Sequence, residues 1–285
     1  MKGDVSTRPL SGTLEWKIGQ MLVVGFGPGE AGLASLRQTV DQTLAGNIIL
    51  FSRNTIDAKT TSEITAHARD IIRNATGLAP LVAIDQEGGI VMRLRKGVVS
   101  IPGAMAQAAA FLGGGATLVD IERLGAACGA DLAAVGVNWD LAPVIDVNVN
   151  PKNPVIGVRS YGEDPALVAD LASAFARGLR SAGVMATAKH FPGHGDTTVD
   201  SHLSLPLIPH GIPRLEAVEL LPFRRLIAEG VGSVMTAHAR FPAVEPEALP
   251  ATLSSKVIRG LLREKLGYGG LVCSDCMEMK AIAER

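Results

Sequence analysis

The sequence predicts an α/β protein of the TIM-type (β/α)8-barrel class, on three observations. Short β-rich apolar runs alternate with longer stretches of helical spacing, and the runs lack the polar alternation of a half-exposed sheet, as buried parallel strands do. Many of the runs end in a charged or imidazole side chain: Asp85, Asp140, Lys189 with His190, His238 and Asp275. Buried strands avoid such groups, but the strand C-termini of a parallel barrel meet at one face, where catalytic groups collect. An open doubly wound sheet draws its ligand groups from fewer strands, at a switch point. The length of 285 residues also suits one α/β barrel domain.

The elements follow in order. Residues 21–26 form the first strand, and Gly25, Gly27 and Gly29 after it read as a tight strand-to-loop turn. They lack the further glycine and the helix start of a dinucleotide fingerprint. Residues 47–51 and 81–85 are the next strands, separated by a helix over 57–74 that Asp57 opens as an N-cap. The 104–110 run packs as a helix, and a second helix covers 116–135. Residues 137–141 continue the strand series, with an extension at 144–147. Asp164 before Pro165 starts a helix over 165–182. The strand 185–191 precedes a helix over 214–229, closed by Gly230. The strand 233–239 precedes a helix headed by Ser254 and closed by Gly267, and residues 270–275 make the seventh strand. The chain stops ten residues after Asp275, so the expectation is a single catalytic barrel domain over residues 1–285 that lacks the last βα unit.

Composition narrows the function classes. A 47% hydrophobic, 19% charged chain is not disordered, and Lys+Arg 27 against Asp+Glu 28 gives no electrostatic footprint for a nucleic acid. No apolar run approaches the ~20 residues that span a bilayer, and residues 1–15 hold no apolar signal core, so no membrane and a cytoplasmic location are expected. Three cysteines, Cys128, Cys273 and Cys276, fit a reducing compartment better than a disulfide scaffold. The spacing of Cys273 and Cys276 is that of a Cys-x-x-Cys pair, but no second pair accompanies it, and both read as small apolar core residues.

The densest chemistry lies in Lys189-His190-Phe191-Pro192-Gly193-His194-Gly195-Asp196, followed by Asp200-Ser201-His202: three His, two Asp and one Lys in a glycine-containing loop after a strand. A second site is Ile84-Asp85-Gln86-Glu87-Gly88-Gly89 with Arg93 beyond it, a carboxylate beside glycines that let a ligand approach the backbone, suited to hydroxyl recognition. The third is Cys273-Ser274-Asp275, an apolar strand ending in one carboxylate that serves equally as nucleophile, base or helix N-cap. Arg159 and His238 complete the candidates.

These segments together resemble the bacterial β-N-acetylglucosaminidases of glycoside hydrolase family 3, over almost the whole chain from Gly19 to Met279. The resemblance implies a retaining glycosidase with a covalent glycosyl-enzyme intermediate, in which Asp275 matches the nucleophile and His202, partnered by Asp200, the general acid/base. An imidazole suits both halves of that role, since an ordinary pKa near 6.5 lets it give a proton to the leaving group and take one from water. By the same resemblance Asp85, Arg93, Arg159, Lys189 and His190 hold the hydroxyls of a terminal N-acetylglucosamine. The implied substrate is a small carbohydrate, a muropeptide or a chitooligosaccharide-like chain, with no cofactor and no metal; the oligomeric state is not implied. Many relatives have Asp where this chain has Cys276.

Two readings from other classes stay open on the residues. His190, His194, His202 and His238 with Asp196, Asp200 and Asp275 offer the ligand types of a metal-dependent hydrolase, although Pro192 and Gly193 argue against a helix between His190 and His194. A non-catalytic sugar-binding protein of the same family is the other.

Overall fold

The computed structural model describes residues 12–199 and 205–283, so the expected acid/base pair Asp200 and His202 lies outside the described residues. Two compact units emerge: Met1–Ile84 with Arg93–Val98 and Leu132–Trp139, and Asp85–Met92 with Val99–Asp131 and Asp140–Arg285.

In the first unit α1 (Leu14–Gly19) is capped by Thr13, whose hydroxyl accepts the Trp16 N–H, and leads to β1 (Val23–Val24). The glycine-rich segment then does what the sequence reading excluded: a helix, α2 (Gly29–Thr43), starts at once. Its start explains the glycines, because a Cβ on Gly32 would sit 1.9 Å from the Gly27 carbonyl oxygen. After β2 (Asn47–Leu50), α3 (Ala58–Thr76) is capped by Asp57, which accepts the Thr60 N–H, and ends at Gly77 with φ 79°. The β3 strand (Val82–Ile84) is buried throughout, and the pairs Val23↔Asn47 and Ile48↔Val82 set a parallel register from β1 to β3. Asn47 and Asn138 carry the ladder past the strand starts, accepting the N–H groups of Leu81 and Val82.

The second unit opens with a hairpin absent from the sequence reading, β4 (Gln86–Gly88) against β5 (Val91–Met92), which turns on Gly88 and Gly89 at φ 91° and 57°. Next come α4 (Ala104–Leu112) and α5 (Leu118–Ala134), then β6 (Trp139–Asp140), shorter than its apolar run because the segment beyond it only bridges at Val144↔Lys189. Asp164 caps α6 (Pro165–Ser181) by accepting the Ala166 N–H. The backbones of α5 and α6 meet through glycines: a Cβ on Gly125 would lie 2.2 Å from the Phe175 carbonyl oxygen, and one on Gly178 2.1 Å from that of Glu122.

The seven-residue β7 (Met185–Phe191) is buried from Ala186 onward, which is why its sequence shows no polar alternation. The single helix expected over 214–229 is two, α7 (Ile212–Ala217) and α8 (Leu220–Ala228). Pro222 supplies the reason: it has no N–H for the Val218 carbonyl and its ring would clash there, so the helix restarts with Pro222 in its first turn. Then β8 (Ser233–Thr236) pairs with β7, and the stretch headed by Ser254 winds as a π-helix over Lys256–Lys265, with Leu266 N–H reaching the Leu261 carbonyl five residues back. Finally β9 (Leu271–Ser274) pairs with β8 and precedes α9 (Lys280–Ala283). The strands pair in chain order within each unit, β1-β2-β3 in the first and β7-β8-β9 in the second; with β6 and apart from the hairpin, they are the seven strands of the described residues, as the sequence predicts. Phe191 and Phe223 meet edge-on at 5.0 Å in the buried interior, beside β7's charged end.

Candidate active site

Three strand ends and the turns after them bring the predicted side chains together in the second unit. Asp85 directly follows β3, and Lys189, buried in β7, reaches Asp85 Oδ1 at 3.0 Å and Glu87 Oε1 at 2.6 Å with its ammonium. Glu87, on β4, is gripped from its other side by Arg159, whose Nε and Nη2 donate to the two carboxylate oxygens at 2.9 and 2.8 Å in a bidentate fork. Burial by itself would raise the Glu87 pKa, but the Lys189 and Arg159 charges outweigh it and bring it to about 2. The same carboxylates, Glu87 first, overcome the burial of Lys189 and hold its ammonium above the ordinary lysine range. The four groups carry two positive and two negative charges, a balance that lets charged side chains stay charged out of water.

Under this cluster lies Asp140, the end of β6, fully buried, with one oxygen accepting the Gln86 N–H at 3.0 Å. Burial pushes its pKa up to about 8, and the Asp85 and Glu87 charges add to the rise against the opposing Gln86 N–H and Lys189. Asp140 is thus biased toward its protonated form, set behind the Gln86 main chain.

The loop after β7 is clamped by Asp146. Its Oδ1 accepts the N–H groups of His190 at 3.2 Å and His194 at 2.7 Å, and its Oδ2 lies 2.7 Å from His190 Nδ1. Gly195 lets the loop pass flat against this segment, since a Cβ there would stand 1.9 Å from the Val147 carbonyl oxygen. His194 Nδ1 meets Thr197 Oγ1 at 2.8 Å, and Asn153 Nδ2 donates to the His194 carbonyl at 2.8 Å. Burial, with the His190 charge beside it, holds the His194 imidazole below its usual range. Asp196 pairs with His210 at 2.6 Å.

Asp275 follows β9, half-buried, its N–H donating to the Thr236 carbonyl and its Oδ1 accepting the Cys276 N–H at 2.7 Å. Burial opposes ionisation, yet His190, the Cys276 N–H, Lys189 and His238 together keep its carboxyl below the ordinary aspartate value. His238 is a positioning group: Nε2 donates to the Cys276 carbonyl at 2.9 Å and Nδ1 meets Thr252 Oγ1 at 2.8 Å, so neither nitrogen is left for a metal. Among the described residues no three His, Cys, Asp or Glu side chains group as a metal site.

Of the residues singled out from sequence, Asp85, Arg159, Lys189, His190 and Asp275 lie in one electrostatic network. Arg93 follows β5 but belongs to the first unit, where its carbonyl accepts the Thr55 hydroxyl. Glu87 and Asp146 were not picked out. The signal for Asp146 was a lone acid inside the apolar run Val144-Ile145-Asp146-Val147. Of the Cys-x-x-Cys pair, Cys273 is half-buried as a core residue would be, while Cys276 is exposed.

Parallel strands alternating with helices gather carboxylates, a lysine and an arginine into one polar cluster, the chemistry that hydroxyl recognition uses. A family model described as glycosyl hydrolase family 3 N terminal domain matches residues 13–285, and the chain belongs to that family. Beta-hexosaminidase A of Pseudoalteromonas piscicida is 36% identical over 262 residues, covering 87% of this chain and 44% of that protein. A glycoside hydrolase family 3 beta-N-acetylglucosaminidase from Paenibacillus sp. str. FPU-7 superposes with a TM-score of 0.90 at 48% identity, covering 95% of this chain and 51% of that one. NagZ from Neisseria gonorrhoeae, solved in complex with N-trifluoroacetyl-D-glucosamine, gives a TM-score of 0.80 at 31% identity, covering 90% and 74%. The chain therefore spans about half or less of the first two relatives and about three-quarters of the third. Its fold class is the family's TIM-like barrel, with seven parallel strands among the described residues.

Proposed function

We propose that the chain is a retaining exo-β-N-acetylglucosaminidase acting on peptidoglycan fragments or chitooligosaccharide-like chains. The observation that carries this reading is Asp275: a strand-end carboxylate kept ionised by neighbouring cations, beside the polar cluster Asp85, Lys189 and His190, in a chain of this family. In the first step an Asp275 oxygen attacks the anomeric carbon, the glycosidic bond breaks, and the departing oxygen takes a proton from His202. In the second, His202, now neutral, takes a proton from water as that water displaces Asp275 and frees the sugar. Asp200 orients and charges His202 for the first step. Asp85, Arg159, Lys189 and His190 hold the ring hydroxyls, their positions fixed by the bonds to Glu87 and Asp146. The three free cysteines support work in a reducing compartment, the cytoplasm, on wall fragments delivered there.

The test is release of p-nitrophenol from p-nitrophenyl N-acetyl-β-glucosaminide by the 285-residue chain, beside Asp275→Ala and a chelator-treated sample. Turnover that the substitution abolishes and chelation leaves intact supports the reading. A folded, monodisperse chain without turnover overturns it in favour of a sugar-binding protein, and activity lost to the chelator points to metal-assisted hydrolysis.

A further inference from the structure

We infer that Asp146 is a positioning residue that fixes the tautomer and orientation of His190, so that Nε2 is the nitrogen His190 presents to the ligand. This rests on the glycosidase reading for its kinetic consequence but not for its geometry. The Asp146 side chain is fully buried, and the three donors it takes come from the end of β7 and the loop after it: the main-chain N–H groups of His190 and His194 and the ring atom His190 Nδ1. Its own carbonyl accepts the Ser160 hydroxyl at 2.6 Å, which fixes the backbone behind it. Burial works against its ionisation, but the His190 and His194 charges and the His190 hydrogen bonds prevail and hold the carboxyl below the usual range. An ionised carboxylate accepts and cannot donate, so the hydrogen in the 2.7 Å contact belongs to His190 Nδ1. Asp146 thereby acts on the ligand through the His190 ring and touches no substrate itself.

A loop anchor and a tautomer-setting group differ in what asparagine does. In Asp146→Asn the side-chain oxygen still accepts both main-chain N–H groups, but the new amide offers Nδ1 a hydrogen instead of accepting one, which moves the ring proton to Nε2. The experiment is 15N NMR of the imidazoles in the full chain, with His190→Gln identifying the His190 signals, together with p-nitrophenyl N-acetyl-β-glucosaminide kinetics. The parent is expected to show His190 Nδ1 protonated. Asp146→Asn is expected to show it unprotonated, with an unchanged far-ultraviolet spectrum and kcat/KM lower by about 10- to 100-fold. A parent Nδ1 without a proton overturns the assignment, and that measurement needs no turnover. An Asp146→Asn protein that keeps the parent tautomer overturns it equally.

Discussion

Replacing Glu87 by Gln removes one charge from a cluster in which Arg159 holds it at 2.8 and 2.9 Å and Lys189 at 2.6 Å. Burial opposes ionisation there, but those two cations lower the carboxyl pKa from 4.5 to about 2. A carboxylate depressed by folding stabilises the native state fully above its unfolded pKa and loses that contribution as pH falls through the folded one. Converted through the constant of proton binding, the lowering amounts to about 3 kcal/mol at neutral pH and, with the unfolded chain still partly ionised, to about 2 kcal/mol at about pH 3.5. Glutamine takes up no proton in this window and leaves Arg159 without its carboxylate, a loss of the size found when one partner of a buried pair is removed, about 3–5 kcal/mol. Urea unfolding of parent and Glu87→Gln at the two pH values reads the difference directly. The expected gap is about 3 kcal/mol at about pH 7, shrinking by more than 1 kcal/mol at about pH 3.5. A gap that stays constant between the two would show that packing, not charge, is lost; a gap under about 1 kcal/mol at neutral pH would refute the electrostatic account outright.

Asp275→Ala should lower turnover of the aryl glucosaminide by roughly four or more orders of magnitude, as loss of a covalent nucleophile does, and added azide should restore part of it as an α-glycosyl azide; full activity in the variant would dismiss Asp275. Because His190, the Cys276 N–H and Lys189 hold Asp275 below 3.8 against burial, the acid limb of kcat/KM should lie below that value, and Lys189→Met should move it upward. A limb that stays in place would detach Lys189 from the nucleophile. Gly195→Ala should destabilise the chain by more than about 2 kcal/mol, since its Cβ would press on the Val147 carbonyl at 1.9 Å, and a melting temperature near the parent's would show that the loop moves freely there.

Much of this was legible in the sequence where the signal is local. The β7 strand was read with its observed bounds because burial on both faces removes the alternation of charged and apolar residues, and the four residues before Lys189 carry no charge. Asp57, Asp164 and Ser254 announced helix starts that the structure bears out in the hydrogen bonds they accept. The helix at Gly29 was misread because two close-approach glycines look like loop residues until the partner backbone is known. Glu87 and Asp146 escaped for a different reason. Their partners lie 72 and 44 residues away in the chain, and the Lys189–Asp85 contact spans 104, so nothing in the local pattern distinguishes a carboxylate that organises a site from one that faces water.

The uneven exposure of the three thiols makes the chain a reporter of its own occupancy. Burial holds Cys128 above the ordinary thiol range, with the Asp140 charge adding to the rise, and pushes Cys273 up to about 12, which leaves both protonated and slow to alkylate. Cys276 is exposed and its main-chain N–H is bonded to Asp275. An alkylating dye should therefore mark the residue next to Asp275 ahead of the other two, and, on the proposed function, its rate of attachment should fall as sugar fills the site. An electrophile mounted on a glucosamine ring should then find a sulfur one residue beyond Asp275, so this one side chain offers a handle for a covalent inhibitor.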